Sequence, residues 1–265
     1  MAGALQGIRV LDLTSVVMGP MATQILGADV ITVENAPGET NRVMGPGPHS
    51  ALSGTSLNLL RNKRNIALNL KHPDGRGVLM RLAATCDVFV TNLRPSSLGR
   101  LRLTYDEVRH ARPDVVYCQA QGFPADTDRA NDPAYDDIIQ SATGVADAAR
   151  RAYGEPRLVP ILVADKVVGL TIVYAVLAAL FHRERSGEGQ HIEVPMTQAM
   201  TAFMLVEHGA GGVSQPPTGP AGYQRIPYPG AATPADRGRM DQRVAVLKAA
   251  VRHTLRCGWP GRPAR

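Results

Sequence analysis

The sequence predicts an α/β protein with a Rossmann-like parallel sheet and helices on both faces of that sheet. Short runs rich in β-branched residues recur along the first half of the chain, at residues 8–13, 29–33, 66–70, 87–90 and 115–119. Helical segments separate these runs, so consecutive strands need crossover connections. Right-handed crossovers produce a parallel sheet that is covered on both sides.

The helices and the last strand follow from periodicity and from helix-start signals. Pro20 opens the first helix, because proline is favoured at the first helical position. The stretch 127–160 is rich in loop residues and is expected to hold one helix, near 136–143. A further strand is expected at 190–194. The remaining helices are predicted at 20–26, about 73–84, 105–110 and about 197–206, with a long apolar helix beginning near Asp165.

Composition is that of a soluble globular protein, with 44% hydrophobic and 20% charged residues in 265. The longest apolar run, 167–181, is shorter than the ~20 residues that span a bilayer, so we expect a buried core helix and no membrane partner. The first residues carry no signal-peptide pattern. Cys86, Cys118 and Cys257 are widely spaced and odd in number, so they indicate neither a disulfide framework nor a metal-ligand spacing, which favours a cytoplasmic location.

The positive charge of the chain is confined to its end. Residues 236–265 hold eight Lys or Arg against two Asp, and this surplus equals the net charge of +6 of the whole chain. The rest of the chain is therefore neutral, and it contains no motif that recognises the bases of a nucleic acid. We expect no nucleic-acid partner.

Several common catalytic and nucleotide-binding motifs are absent from the sequence. The first strand is followed by Thr14-Ser-Val-Val-Met-Gly-Pro20, which lacks the G-x-G-x-x-G pattern of dinucleotide-binding proteins. The chain also lacks a phosphate-binding P-loop, a G-x-S-x-G nucleophile elbow and an H-E-x-x-H zinc motif. Chemistry that depends on NAD, FAD or a zinc ion of this kind is not indicated.

Asp165 is the most informative single residue. It stands alone between a strand-like apolar run and the long apolar helix. One interpretation is an N-cap, because Asp is among the residues preferred at that position. The other is a covalent nucleophile, since a carboxylate beside the N–H groups of a helix start can attack an activated acyl group.

Several ordered motifs identify a resemblance that runs from Gly7 to about Arg225. The motifs are Gly7-Ile-Arg-Val-Leu-Asp-Leu13 with Gly19-Pro20, Gly27-Ala-Asp-Val-Ile-Thr-Val-Glu34, Arg61-Asn-Lys-Arg64, Leu68-Asn-Leu-Lys71, Asn92-Leu-Arg-Pro95, Pro133-Ala-Tyr-Asp136, Ala164-Asp165 and Arg185-Ser-Gly-Glu-Gly-Gln190. In this order, they make the chain resemble the class III CoA-transferases, the family of formyl-CoA transferase and carnitine CoA-transferase, with alpha-methylacyl-CoA racemase as a relative.

The resemblance implies that Asp165 is the nucleophile of a CoA transfer. Its carboxylate would attack an acyl-CoA thioester to give an aspartyl anhydride, and an aspartyl-CoA thioester would then pass CoA to a second organic acid. Hydrogen-bond donors to the developing oxyanion would accelerate the reaction, with backbone N–H groups near residues 166–169 as candidates. The acyl-CoA thioester is a substrate here, and no permanently bound cofactor and no metal are expected.

The resemblance also implies a set of CoA contacts. Val17 and Met18 correspond to backbone beside pantetheine and adenine, and Lys71 and Arg100 to phosphate-binding cations. Tyr135 and Asp136 would line the channel near the thioester. The remaining contacts are Leu68, Asn92, Leu93 and Arg94. The alternative for each cation is a solvated surface charge, and the alternative for Tyr135 is a half-buried packing residue.

A racemase and an inactive CoA-binding remnant are the alternative functions. The racemase relatives carry a His at the position of Tyr135, as one of two acid/base groups that exchange a proton at the α-carbon. This chain has no His there, which favours the transferase.

The expected organisation is a CoA-binding Rossmann-like large domain over residues 1–208, followed by a linker and a divergent, poorly ordered basic tail over 209–265. The sequence beyond Arg225 lacks family motifs. We therefore expect a truncated or frameshifted product that lacks most of the family's small domain. The alternative is a genuine short paralogue with a disordered basic tail. The resemblance implies a homodimer.

Overall fold

The computed structural model describes residues 3–223, and within them six strands form one fully parallel sheet. The order of the strands is β3-β2-β1-β4-β5-β6, which is that of a doubly wound Rossmann-type sheet. The predicted α/β class and parallel sheet are confirmed. The strands are β1 (Arg9–Leu13), β2 (Asp29–Glu34), β3 (Arg64–Ala67), β4 (Val88–Thr91), β5 (Val116–Gln121) and β6 (Gln190–Pro195).

Nine α-helices lie in the described part of the chain, together with two short 3-10 helices at Thr40–Val43 and Ala210–Gly212. The α-helices are α1 (Met18–Leu26), α2 (Gly54–Leu59), α3 (Pro73–Ala83), α4 (Pro95–Leu101), α5 (Tyr105–Ala111), α6 (Asp136–Ala142), α7 (Val145–Tyr153), α8 (Val163–Ser186) and α9 (Met196–His208). Of these, α2, α4 and α7 were not predicted.

Two hydrophobic cores cover the two faces of the sheet, as alternation along a strand requires. Val10 on β1 points into one core with Ile172 and Val176 of α8, whereas its neighbour Leu11 points into the other with Leu79 of α3. Helices α1, α6, α8 and α9 therefore pack on one face, and α3, α4 and α5 on the other.

The predicted strand at 66–70 is displaced, because β3 ends at Ala67. The N–H of Leu68 still donates to the carbonyl of Glu34, at 2.8 Å, but the chain then turns at Asn69, whose side chain accepts from the N–H of Lys71. Leu68 and Leu70 look like strand residues in the sequence because they are apolar. In the structure they pack from this turn against the core.

The stretch predicted to hold one helix contains two, because α7 follows α6 directly. Gly144 and Gly154 bound α7 with positive φ angles of 89° and 88°. Asp147 pairs with Arg150 and Arg151 one turn later on an exposed face. The two glycines and the spacing of these charges are the features of the sequence that indicate α7.

Helix α8 is long and apolar enough to cross a membrane by length and composition alone. One face, including Val168, Ile172 and Val176, is buried in the core, as predicted for 167–181. The other face exposes Leu170, Tyr174, Leu177 and Phe181, by 50%, 62%, 41% and 65%. The predicted tail lies outside the described residues from position 224 onward.

Candidate active site

Asp165 is the third residue of α8 and is only 7% exposed. The structure therefore contradicts both the strand-to-helix junction and the N-cap, because residues 159–162 form no strand and Leu162 occupies the cap position. The apolar residues 161–163 lead directly into the helix, and this run looks like a strand in the sequence. An ordinary capping role thus does not account for the buried carboxylate.

The start of α8 lies at the carboxyl edge of the sheet. At its other end, Arg183 donates to the carbonyl of Asp87, at 3.2 Å, and pairs with the Asp87 carboxylate immediately before β4. This contact fixes the end of α8 at the amino edge of the sheet. Asp165 therefore shares the opposite edge with the loops that follow the strands, where ligands bind in such folds.

Asp136 is the partner of Asp165. It is the first residue of α6, it is 6% exposed, and its Oδ1 accepts the main-chain N–H of Asp165 at 3.0 Å. Its Oδ2 accepts from the amide of Gln140, one turn further along α6, at 2.5 Å. Gln140 is itself 1% exposed. Asp136 was predicted to line a substrate channel, and in the structure both of its oxygens accept protein hydrogen bonds.

The environment of Asp165 raises its pKa from 3.8 to about 7. Burial is the larger cause, because it penalises the charged form, and the neighbouring charge of Asp136 is the smaller. Among residues 3–223, no donor hydrogen-bonds to the Asp165 side chain to offset these effects. At neutral pH a substantial fraction of Asp165 is ionised, and that carboxylate is poorly solvated.

The backbone N–H groups at residues 166–169 are already used by the helix. The N–H of Lys166 donates to the carbonyl of Leu162 at 3.2 Å, and the next N–H groups continue the same pattern within α8. Their predicted role as oxyanion donors is wrong, because an N–H group inside a helix has its partner four residues earlier.

Gly169 brings the predicted contact Met18 next to the helix of Asp165. A Cβ atom at Gly169 would lie 2.9 Å from the carbonyl oxygen of Met18, so only glycine lets α1 approach α8 this closely. Gly169 follows Asp165 by one turn and shares its helix face. Val17 and Met18 are 5% and 4% exposed, and α1 begins at Met18.

The loop between β1 and α1 is held by side chains from two other loops. Val16 has a φ of 68°, a costly value for a β-branched residue. Its N–H donates to Oε1 of Glu39 at 2.7 Å. Asn92 accepts from the N–H of Ser15 and donates to the carbonyl of Ser15, each at 3.0 Å. The amide of Asn92, predicted to contact CoA, is thus occupied in fixing this loop.

A cleft of about 600 Å³ opens beside this loop, at the carboxyl ends of β1, β2 and β4. It lies where the strand order reverses, between β1 and β4. Four of the predicted contacts line it, namely Leu68, Lys71, Asn92 and Leu93. Thr14, Ser15, Gly38 and Ser97 also contribute to its walls.

The other predicted contacts do not line this cleft. Arg94 is the N-cap residue of α4 and Arg100 lies within that helix, and both are exposed. Arg100 donates to the Ser97 hydroxyl at 3.2 Å. Tyr135 is 61% exposed, so its interpretation as a half-buried packing residue is wrong. The structure therefore brings four predicted contacts together around the cleft and Asp136 beside Asp165, whereas it places Arg94 and Arg100 in neither group.

A buried charge cluster fixes α1 against β1. The side chain of Lys63 is 1% exposed, and its ammonium group donates to Asp12 at 3.0 Å, to Thr23 at 2.7 Å and to the carbonyl of Pro20 at 2.8 Å. Sequence reasoning assigned no role to this lysine, although it lies in the motif Arg61-Asn-Lys-Arg64. Within residues 3–223 no group of three or more His, Cys, Asp or Glu side chains is arranged to hold a metal.

Comparison with known proteins gives one consistent result. The model of CoA-transferase family III matches residues 5–237. The succinate–glutarate CoA-transferase of Agrobacterium fabrum is 36% identical over 210 residues, covering 76% of this chain and 52% of the relative. The formyl-CoA:oxalate CoA-transferase of Streptomyces avermitilis is 36% identical over 212 residues, covering 78% and 51%.

Solved structures give the same result. The crystal structure of a CAIB/BAIF family protein from Brucella suis superposes with a TM-score of 0.76 at 28% identity, covering 84% of this chain and 60% of that one. The chain spans about half the length of the curated relatives that it matches.

Proposed function

Because the chain belongs to CoA-transferase family III, we propose that it moves CoA from an acyl-CoA thioester to a free carboxylic acid, with Asp165 as the nucleophile. The observation that carries this proposal is the state of the Asp165 carboxyl group. It is buried at the ligand-binding edge of the sheet, it receives no hydrogen bond from residues 3–223, and its pKa is raised to about 7. Poor solvation favours nucleophilic attack, because little hydration has to be removed from the attacking oxygen.

The proposed reaction has four steps. An Asp165 oxygen attacks the thioester carbonyl, the carbon–sulfur bond breaks, and a CoA thiolate and an aspartyl acyl anhydride form. The thiolate then attacks the Asp165 carbonyl carbon, which releases the first acid and leaves an aspartyl-CoA thioester. An acceptor carboxylate attacks that thioester to form a second anhydride and release the thiolate. Finally the thiolate attacks the acceptor carbonyl, which gives the new acyl-CoA and restores Asp165.

Acylation removes the charge of Asp165, and this is why the pair with Asp136 suits the proposal. In the ground state, an ionised Asp165 lies beside another buried carboxylate. Both the anhydride and the thioester are neutral at this position, so repulsion and burial no longer oppose them. The environment thus favours the covalent state over the free carboxylate.

The cleft beside the β1–α1 loop is the proposed site for the nucleotide end of CoA. Lys71 supplies a cation for a phosphate, and Leu68 and Leu93 supply apolar surface. The loop at Val16 to Met18 lies between the cleft and α8, which suits a path for the pantetheine arm toward Asp165.

Dicarboxylic acids are the proposed first substrates to test, because relatives are named for succinate, glutarate and oxalate. The proposal also includes a homodimer, supported by the exposed apolar side chains along α8. A cytoplasmic location is supported by Cys86 and Cys118, which are free, buried thiols.

The test is CoA exchange. The purified chain is incubated with succinyl-CoA and a panel of free acids, and new acyl-CoA species are identified by mass spectrometry. We expect exchange that depends on Asp165 and is lost in Asp165→Asn. CoA binding without exchange would contradict the proposal, as would deuterium wash-in at the α-carbon of a 2-methylacyl-CoA without exchange, which would indicate a racemase.

A further inference from the structure

Gln140 is a buried polar residue to which neither the sequence nor the proposed reaction assigns a role. Its side chain is 1% exposed and lies on the face of α6 that packs against α8. A buried amide is costly unless its polar atoms find partners, so the partners of Gln140 indicate what it holds.

The partners of Gln140 lie in two separate parts of the site. Its Nε2 lies 2.5 Å from Oδ2 of Asp136. Its Oε1 accepts the N–H of Val159 at 2.8 Å, and its Nε2 also lies 3.3 Å from the carbonyl oxygens of Val159 and Ile161. One side chain therefore ties the carboxylate beside Asp165 to the segment that leads into α8.

Helix α8 begins without a side-chain cap from its own N-cap residue. Leu162 occupies the N-cap position and offers no side-chain acceptor, whereas Oδ1 of Asp136 accepts the N–H of Asp165. The first turn of α8 is therefore held from α6, through Asp136, and Asp136 is in turn held by Gln140.

We propose that Gln140 is a positioning residue for the transfer reaction, which fixes the direction of the Asp165 carboxylate by joining Asp136 to residues 159–161. This inference rests on the proposed function. Without the Gln140 amide, the Asp136 carboxylate is held only by its bond to the N–H of Asp165, and the segment before α8 loses its two-point contact at Val159. Asp165 then samples orientations that do not reach the thioester, which lowers the rate of attack without affecting the cleft that holds the nucleotide.

The test uses Gln140→Met, which keeps the length and volume of the side chain and removes its hydrogen bonds. We expect kcat to fall by about 10- to 100-fold, while KM for the acyl-CoA changes by less than about threefold, because the cleft at Lys71 is untouched. A purely structural defect would reduce the fraction of folded, active molecules, but it would leave the rate of adduct formation per folded molecule unchanged. The rate of adduct formation at Asp165 in single turnover is therefore measured on the folded fraction.

Ser141→Ala is the matched control, because Ser141 lies on the exposed side of α6 and donates only to the carbonyl of Asp137. Its kcat should equal that of the wild type. If Gln140→Met does not fold, Gln140→Leu replaces it. Leucine also lacks both the donor to Asp136 and the acceptor for Val159, and it adds no charge, so the same fall in kcat is expected.

Two results separate the failure of this inference from that of the proposed function. Absence of CoA exchange in the wild-type chain contradicts the proposed function, and with it the role of Gln140. Exchange in the wild type with unchanged single-turnover rates in Gln140→Met, or in Gln140→Leu if Met does not fold, overturns the role of Gln140 alone.

Discussion

The main-chain N–H of Asp165 donates to Oδ1 of Asp136 across 3.0 Å, although the two residues are 29 positions apart in the sequence. This bond brings two buried carboxyl groups together at the first turn of α8. It anchors the helix start, and it also places a negative charge beside the proposed nucleophile. The stability and the reactivity of this site therefore depend on the same pair.

Replacing Asp165 by Asn should stabilise the protein increasingly as the pH rises. The pKa of Asp165 is about 7 in the folded chain and near 3.8 when it is exposed. Folding therefore favours the protonated form. The contribution of this group to the free energy of unfolding is fully present below pH 3.8 and is lost as the pH rises through 7. We expect the advantage of Asp165→Asn to grow by about 2–3 kcal/mol between pH 5 and pH 8, from about 1.4 kcal/mol per pH unit.

Urea unfolding of both proteins at each pH measures this difference. A difference between the two unfolding free energies that stays constant from pH 5 to pH 8 would show that Asp165 is not held in a charge-excluding environment.

The rate of CoA transfer should rise with pH through a midpoint near pH 7, the pKa of Asp165, and level off above it. Attack needs the ionised carboxylate, so kcat/KM falls about tenfold per pH unit below the pKa of Asp165. Asp136→Asn removes the charge that contributes to the raised pKa, and the midpoint of its profile should therefore move to lower pH. Asp137→Asn, an exposed neighbour on α6, is the control. A midpoint that is identical in wild type and Asp136→Asn would argue against coupling of the two carboxyl groups.

Adding a methyl group at Gly169 should separate α1 from α8. The new Cβ would lie 2.9 Å from the Met18 carbonyl, a backbone atom that cannot move aside. We expect a loss of about 1–3 kcal/mol in unfolding free energy and a marked fall in transfer rate. Gly99→Ala is the matched control, since a Cβ there meets nothing within 4 Å. It should stabilise α4 by about 0.5–1 kcal/mol. Equal stabilities of the two variants would contradict the close approach.

Lys63→Met should be strongly destabilising, because it leaves the Asp12 carboxylate buried without its counter-charge. We expect a loss of about 3–5 kcal/mol, measured by chemical unfolding. Arg64→Met is the adjacent control. Arg64 pairs with Asp29 at side-chain exposures of 60% and 42%, so its loss should cost about 1 kcal/mol or less. Similar losses in the two variants would show that the Lys63 pair is solvated.

The general architecture was predictable because it depends on local patterns. Alternation in β1 sends Val10 and Leu11 to opposite faces, and the strand–helix succession then leaves few topologies. Displaced or missed elements had weaker local signals. Leu68 and Leu70 resemble strand residues but pack from a turn, and α7 has a polar surface that resembles a loop.

The site was predictable only in part, because its important contacts join distant residues. Asp165 could be identified from its isolation in apolar sequence and from the family motifs. The Asn92 amide, however, bonds to Ser15, 77 positions away, and Gln140 bonds to Val159, 19 positions away. No local pattern shows that these amides are occupied by backbone. The sequence therefore identified the position of Asn92 without its role, and it did not identify Gln140.

Mass spectrometry of the Asp165 peptide after brief exposure to succinyl-CoA shows directly whether Asp165 becomes covalently modified. We expect a CoA thioester on Asp165 that disappears when an acceptor acid is added and is absent from Asp165→Asn. A chain that exchanges CoA between acids while Asp165 stays unmodified, or an Asp165→Asn variant that exchanges as fast as the wild type, would contradict the proposed role of Asp165.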